Sequence, residues 1–291
     1  MRVLSFGEII WDVFPDDKHL GGAPLNLAAH CALQGADAFV ISATGRDRLG
    51  KELLEGVKNL GVSTKYISEN EKTTGKCIVT ISENTAPKYQ LLSDVSYDSI
   101  KAPDISGESF DVLAFGTLAL RTENNKKALK DIIGSGCFSE IYSDINIRPP
   151  HYSKDSINFA LKNATIVKIS DEELPVITNT LWNLQLSVND SILKLAEHYQ
   201  NLKIIILTLG EKGSVAYDCK DKKLYKADAV KTSVKSTVGA GDSFGATFLT
   251  SYFKGLDIQS CLNYASKVSA YVVSNQEAIP KNMSEFLKTV E

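Results

Sequence analysis

Between Ser236 and Gly245 the chain reads Ser-Thr-Val-Gly-Ala-Gly-Asp-Ser-Phe-Gly. Gly239, Ala240 and Gly241 carry too little side chain to cover their backbone N–H groups. The apolar residues that follow, Phe244, Phe248, Leu249 and Tyr252, have the spacing of a helix that opens at Gly239 to Asp242. Uncovered amides at a helix N-terminus attract an anion, through their donors and the macrodipole together. Asp242 stands in the first turn. It is either an acid complementing the dipole or, beside an anion hole, a base that deprotonates a hydroxyl attacking a phosphate. The chain has no G-x-x-x-x-G-K-[ST], which excludes a Walker-type NTPase. Gly239-x-Gly241 begins like a dinucleotide fingerprint, but Phe244 occupies the place of its third glycine and the segment comes late in the chain. A nicotinamide dehydrogenase is therefore disfavoured.

Other residues have two readings each. Asp12, just past the first strand, can accept two hydroxyls at once, or it is an exposed turn acid beside Asp16 and Asp17. Asn26 can donate and accept to a hydroxyl pair, or lie idle on a helix surface. Gly21 and Gly22 allow close approach of backbone to a ligand, or make an ordinary tight turn. Thr208-Leu209-Gly210-Glu211-Lys212-Gly213, read alone, is a hairpin turn. Ser170 followed by Asp171, Glu172 and Glu173 fits a helix N-cap with acids behind it. Arg148 pairs with a phosphate or substrate, or is a salt-bridged strand-end arginine.

The elements that must position these groups alternate along the chain. Strands are expected at Arg2 to Ile9, Ala38 to Ser42, Phe110 to Phe115, Glu140 to Ile145, Thr165 to Ile169 and Lys203 to Leu209. Helical spacing covers Leu25 to Leu33, Leu49 to Leu60, Glu123 to Ile133, Asp155 to Leu161, Asn189 to Tyr199 and a last helix from Gln259 to Val273. A hairpin joins Ser214 to Tyr217 with Lys223 to Ala227. The pattern predicts an α/β fold with a doubly wound, mainly parallel sheet and right-handed crossovers. From Ser63 to Asp94 it changes: Lys76 to Ile81 and Lys88 to Leu92 read as antiparallel strands around a polar turn at Glu83 to Pro87, outside the main sheet. Residues 1–291 are thus expected to form one α/β domain with a small β appendage.

Composition narrows the function classes. In 291 residues, 43% are hydrophobic and 23% charged, so a sizeable core needs neither disulfides nor a structural metal. A formal charge of −3 argues against a nucleic-acid binder. No apolar run approaches the roughly 20 residues of a membrane helix, and the N-terminus has no signal-peptide pattern. Five scattered cysteines read as reduced thiols of a cytoplasmic protein, and four histidines show no metal spacing.

Three separated motifs give the chain a family likeness. Thr237 to Asp242 match Asp-Thr-x-Gly-Ala-Gly-Asp with Ser236 replacing its first Asp. Gly21-Gly22-Ala23-Pro24-Leu25-Asn26-Leu27-Ala28 matches Gly-Gly-x-x-x-Asn-x-Ala, and Gly45-Arg46-Asp47-Arg48-Leu49-Gly50 matches Gly-x-Asp-x-x-Gly. Over its full length the sequence resembles the ribokinase-like PfkB carbohydrate kinases. Gly-Gly-Ala-Pro-x-Asn and Asp144-Ile145-Asn146-Ile147-Arg148-Pro149-Pro150 look most like fructokinases.

The resemblance implies an ATP-dependent sugar kinase with a β-sheet lid built from about 11–20 and 63–94. It makes Asp242 the base and Gly239, Ala240 and Gly241 the anion hole. Asp12, Gly21, Gly22, Asn26 and Arg148 then face the sugar. Lys168, Ser170, Thr208, Gly210, Gly213 and Ser266 face the nucleotide, with Glu173 acting on Mg²⁺ through water. A homodimer through the lid strands is implied as well. Ser236 removes a carboxylate near the family's monovalent-cation site, which argues against K⁺ activation. Glu277-Ala278 replaces a usual Gly-Ala, and Ser266 stands where an adenine-contacting Asn is common. The rival readings are a kinase for another sugar, sugar acid, sugar phosphate or nucleoside, and a non-catalytic sugar sensor. Lys72, Lys76 and Lys88 are the cations a phosphosugar would need.

Overall fold

The computed structural model describes residues 1–80 and 88–290. The chain opens with β1 (Arg2–Phe6), β2 (Ile10–Val13), β3 (Lys18–Gly21) and α1 (Ala23–Leu33), then β4 (Asp37–Gly45) and α2 (Arg48–Asn59). β5 (Ile67–Asn70), β6 (Lys76–Thr80) and β7 (Lys88–Leu91) follow. The alternation resumes with β8 (Ser109–Gly116), α3 (Glu123–Ser135), β9 (Cys137–Asp144), α4 (Lys154–Asn163) and β10 (Ile166–Ser170). Next come α5 (Glu173–Trp182), α6 (Val188–His198), β11 (Ile204–Thr208), β12 (Ser214–Asp218) and β13 (Lys223–Ala227). The chain ends with α7 (Ala240–Phe253), α8 (Ile258–Val273) and α9 (Met283–Val290).

Nine described strands form one sheet in the order β13-β12-β11-β10-β9-β8-β1-β4-β5. β5, β4, β1, β8, β9, β10 and β11 run parallel, and β12 and β13 return antiparallel. Both faces are covered, so the central strands are mostly apolar, with Ser5, Ser143, Asp144 and Lys168 among the buried polar exceptions, and successive residues feed opposite layers. Leu4, Ile41 and Leu113 enter the core under α3, α4 and α5. Val3, Val40 and Val112 enter the core under α1, α7 and α8. α1 and α7 are buried on nearly all sides. Small residues at Ala28, Ala29, Gly245 and Ala246 let these two helices come close.

Four strands form the separate lid, in the order β3-β2-β6-β7. This sheet is mixed, since β2 pairs with β6 in parallel while β2–β3 and β6–β7 are antiparallel. The expected Arg2 to Ile9 strand stops at Phe6, and Gly7 turns the chain at φ +147° so that Ile10 starts a lid strand. Asp12 therefore sits in a lid strand, not in a loop. The span 63–94 is not all lid: β5 pairs in parallel with β4, Ser42 opposite Ile67, and extends the main sheet. Glu83 to Pro87 lies outside the described residues. The helix ending at Val273 is not the last, because α9 packs Met283 and Leu287 against Val268 and Val272.

The Gly45-x-Asp47-x-x-Gly50 motif has a mechanical explanation. Asp47 caps α2 by accepting from Gly50 N at 2.8 Å, and the same carboxylate accepts from Thr74 Oγ1 at 2.6 Å and Thr74 N at 2.9 Å. One side chain thereby fixes the start of a main-body helix to the segment that leads into lid strand β6.

Candidate active site

The carboxyl ends of β1, β8, β9, β10 and β11 lie along one edge of the sheet, where a doubly wound fold presents its ligands. Gly239 is the N-cap of α7 in left-handed conformation at φ +80°. A Cβ there would also lie 2.8 Å from the Cα, Cβ and O of Ala278, so the position requires glycine twice over. Beyond it, the amides of Gly241 and Asp242 donate to no protein acceptor among the described residues. Ser269 on α8 donates to Ala240 O at 3.0 Å and steadies this turn.

Asp242 shares this turn and is only partly exposed. Asn26 of α1 donates from Nδ2 to Asp242 Oδ2 at 2.8 Å, and Asn26 Oδ1 is buried with no protein partner. Burial pushes the Asp242 carboxyl up to about 6 and the neighbouring Asp144 charge adds to it, while Asn26, Lys168 and Arg148 pull it back. A carboxyl poised near 6 is ionised at neutral pH and still basic enough to take a proton.

Beneath the cradle lies a buried ion pair. Lys168 Nζ donates to both oxygens of Asp144, at 2.8 and 2.7 Å, with both residues less than 10% exposed. Burial opposes the ammonium charge, but Asp144, Glu173 and Asp242 outweigh it and raise the pKa of Lys168. A Cβ on Gly241 would lie 3.1 Å from Lys168 Nζ, so the bare glycine brings the cation directly under the free amides. Asp144 was absent from the residues singled out as ligands. Its signal was an acid at the carboxyl end of a buried strand.

On the lid side, Asp12 pairs across the sheet with His19 and Cys77. Its carboxylate lies over Gly21, 2.6 Å from where a Cβ would be. Burial pushes Asp12 up to about 6, with His19, Arg148 and a Cys77 hydrogen bond working against that rise. A Cβ on Gly22, at φ +112°, would overlap the Glu8 carbonyl. Arg148 is exposed and makes no salt bridge among the described residues, so the strand-end ion pair is not formed. Its charge draws down the carboxyls of Glu8, Asp12 and Asp242 alike, which places it among them.

The expected nucleotide side is less concentrated. Ser170 and Thr208 are paired neighbours at the ends of β10 and β11, and Gly210 and Gly213 take positive φ in the short turn after β11. Glu173 accepts from Ile147 N at 2.5 Å and Ser170 N at 2.8 Å, and Ser170 Oγ accepts from Glu173 N at 3.2 Å. Ser170 and Glu173 thus exchange the reciprocal bonds of a capping box, although the N-cap of α5 is Glu172, which makes no side-chain cap bond. The remaining lone pairs of Glu173 are what a hydrated ion would meet. Ser266 is partly buried on α8. Its neighbour Ser269 makes the bond to the cradle, and helical spacing of three was the available signal.

Sequence reasoning missed two further supports. His30, one turn beyond Asn26, is fully buried, and its Nε2 lies 2.9 Å from Ala278 O. Burial lowers its pKa to about 4, so the ring is neutral and Nε2–H is the donor. Glu8, two residues past β1, is 4% exposed and leaves Oε2 without a partner among the described residues.

Helix-terminal amides without a protein acceptor among the described residues, a carboxylate in the same turn and a separate lid sheet are parts that suit phosphoryl transfer to an alcohol. The profile of the pfkB family carbohydrate kinases matches residues 4–285, and the chain belongs to that family. It is 28% identical over 274 residues to the sugar kinase PH1459 of Pyrococcus horikoshii, covering 89% of this chain and 82% of that protein. The crystal structure of PH1459 superposes with a TM-score of 0.80 at 26% identity over 99% of this chain and 97% of that one, and the same protein has been solved with ATP. A nucleoside kinase of Methanocaldococcus jannaschii is 27% identical over 277 residues, covering 94% and 85%. Fructokinase from Vibrio cholerae O395, solved with fructose, ADP and calcium ion, has a TM-score of 0.84 at 20% identity over 100% and 99% of the two chains and shares the fold.

Proposed function

We propose that this carbohydrate kinase is an ATP-dependent kinase of a free hexose, with fructose as the first acceptor to try, and that residues 1–291 act as one kinase domain. The observation that carries the reading is Asp242: a desolvated carboxylate, held by Asn26, in the same helical turn as amides that have no protein acceptor. Asp242 takes the proton of the attacking hydroxyl, and the Gly239 to Gly241 turn accepts the developing charge on the phosphoryl oxygens. The fructokinase-like Gly21 to Asn26 and Asp144 to Pro150 segments support the choice of acceptor. Asp12, Gly21, Gly22, Asn26 and Arg148 bind the sugar. Lys168, held by Asp144, supports the phosphate from below, while Ser170, Thr208, Gly210, Gly213 and Ser266 receive the nucleotide.

A Mg²⁺ ion carried by ATP would be met through its water shell by Glu173, whose carboxylate keeps lone pairs beyond its bonds to Ile147 N and Ser170 N. When bound, the ion neutralises charge on the β- and γ-phosphates. Ser236 Oγ accepts from Val238 N at 3.2 Å, a turn closed without a carboxylate, which supports turnover independent of K⁺. Lid strands β3 and β7 end their sheet on both sides, which supports a homodimer formed there. The five cysteines are all unpaired, in keeping with a reducing cytoplasmic setting. No helix among the described residues is long and apolar enough to cross a membrane.

A coupled ADP-release assay with MgATP tests the acceptor, across fructose, glucose, ribose, fructose 6-phosphate, 2-keto-3-deoxygluconate and adenosine, with and without K⁺. Saturable turnover on fructose is expected. Turnover confined to a phosphorylated or acidic sugar would replace the hexose reading, and sugar binding without turnover would favour a sensor.

A further inference from the structure

Three buried polar atoms from separate segments have no hydrogen-bond partner among the described residues: Glu8 Oε2, Tyr97 Oη and Arg121 Nη1. Glu8 follows β1, Tyr97 belongs to the short turn after lid strand β7, and Arg121 ends the turn after β8. They are neighbours. The Arg121 guanidinium lies 5.0 Å from the centre of the Tyr97 ring, and both groups act electrostatically on Glu8 or are acted on by it. Arg121 cannot rotate away, because Nε donates to Asp98 Oδ1 at 2.7 Å and Nη2 donates to Asp98 Oδ2 at 2.8 Å and to Leu92 O at 2.7 Å. The Tyr97 ring packs under the lid against Gly75 and Ile10. The Glu8 backbone lies directly against Gly22, where a Cβ would overlap its carbonyl, and Glu8 also feels Arg148 and Asp242, so the cluster adjoins the proposed acceptor side.

We propose that Glu8, Tyr97 and Arg121 form a specificity subsite that reads an uncharged hydroxyl of the acceptor, selecting unphosphorylated sugars over sugar phosphates and sugar acids. This rests on the kinase reading above. The charge balance decides the ligand class. Arg121 is already neutralised by Asp98 on two hydrogen bonds, and burial raises the Glu8 carboxyl to about 7, so an incoming phosphate or carboxylate meets one spent cation and a carboxyl that repels it whenever ionised. A hydroxyl meets no such conflict: it donates to Glu8 Oε2 and accepts from Arg121 Nη1 or Tyr97 Oη. A site built on buried hydrogen-bonding groups also rejects an analogue that leaves them unpaired.

Calorimetric titration of the full chain tests this without relying on turnover. The probes are fructose, glucose and ribose, their monodeoxy analogues, fructose 6-phosphate and 2-keto-3-deoxygluconate, with wild type, Glu8→Gln and Tyr97→Phe. Wild type is expected to bind at least one neutral sugar more tightly than the charged compounds. Glu8→Gln should weaken that sugar by about 3- to 10-fold, the range for the net loss of an ordinary hydrogen bond. The variant should also lose the discrimination against one monodeoxy analogue that wild type shows. Tyr97→Phe, which keeps the packed ring, should weaken the same sugar and carries the test if Glu8→Gln fails to fold. Wild-type affinity for the neutral sugar in the folded variants would overturn the subsite and leave the three atoms around a structural water. So would a wild type that binds only the charged compounds, or no sugar. Failure of Asp242 as the base would appear in turnover instead, with these binding differences intact.

Discussion

Asn26 Nδ2 donates to Asp242 Oδ2 at 2.8 Å, joining residues 216 positions apart and fixing the first turn of α7 to α1. The same helix holds Ala278 through His30 one turn later. α1 thus supports both the carboxylate and the loop that closes on Gly239. The two contacts are the mechanical basis of the proposed site.

That relationship sets a pH dependence. With Asp242 raised to about 6, chemistry at saturating sugar should fall as pH drops through about 6 and level off above about 7, because the base must be ionised. Asn26 stabilises the charged form. Asn26→Ala should therefore move the acidic limb to higher pH as well as weaken sugar binding. A pre-steady-state pH profile of both proteins checks this, and an unmoved limb in Asn26→Ala would separate Asn26 from the titrating group.

The Lys168–Asp144 pair should behave as a unit. Removing one partner strands the other charge in the interior, so Asp144→Leu or Lys168→Met should each cost on the order of 3–5 kcal/mol. The double variant should lose less than the sum of the two. Urea unfolding of the four proteins gives the coupling directly, and simple additivity would contradict a tight pair.

Gly245 makes a sharper steric prediction. A Cβ there would overlap the Tyr142 hydroxyl, which is buried, has no hydrogen-bond partner among the described residues, and is kept un-ionised by burial. Gly245→Ala should destabilise the protein by about 1–3 kcal/mol through overpacking. Tyr142→Phe alone should be close to neutral, because it removes an unsatisfied group. Combined, the two should recover much of the loss in thermal melts. Failure of Tyr142→Phe to rescue would place the clash elsewhere.

Much of this architecture was legible from local pattern. Buried parallel strands such as Ile204–Thr208 announce themselves by β-branched runs, and Gly239 to Asp242 by residues that leave amides bare. The misread elements have weak local signals. β5 is Ile-Ser-Glu-Asn, a half-exposed edge strand with one large apolar residue, so its place beside β4 could not be read from alternation. α5 carries Pro175 in its first turn, where proline is tolerated but the helical pattern is broken. Glu8, Tyr97, Arg121 and His30 matter only through partners distant in sequence, and nothing in their own neighbourhoods points to one another. Asp47 was legible as a motif residue, but its function as a clamp on Thr74 needed the fold.

The most direct test of the central claim is Asp242→Asn, which keeps the shape of the side chain and can still meet Asn26. Single-turnover phosphoryl transfer from MgATP to the preferred sugar is expected to fall by about 10²- to 10⁴-fold, the usual contribution of a positioned base. Calorimetric affinity for that sugar should stay within a few-fold of wild type. Wild-type transfer rates in a folded Asp242→Asn protein would contradict the assignment and return Asp242 to the plain role of an N-terminal helix acid.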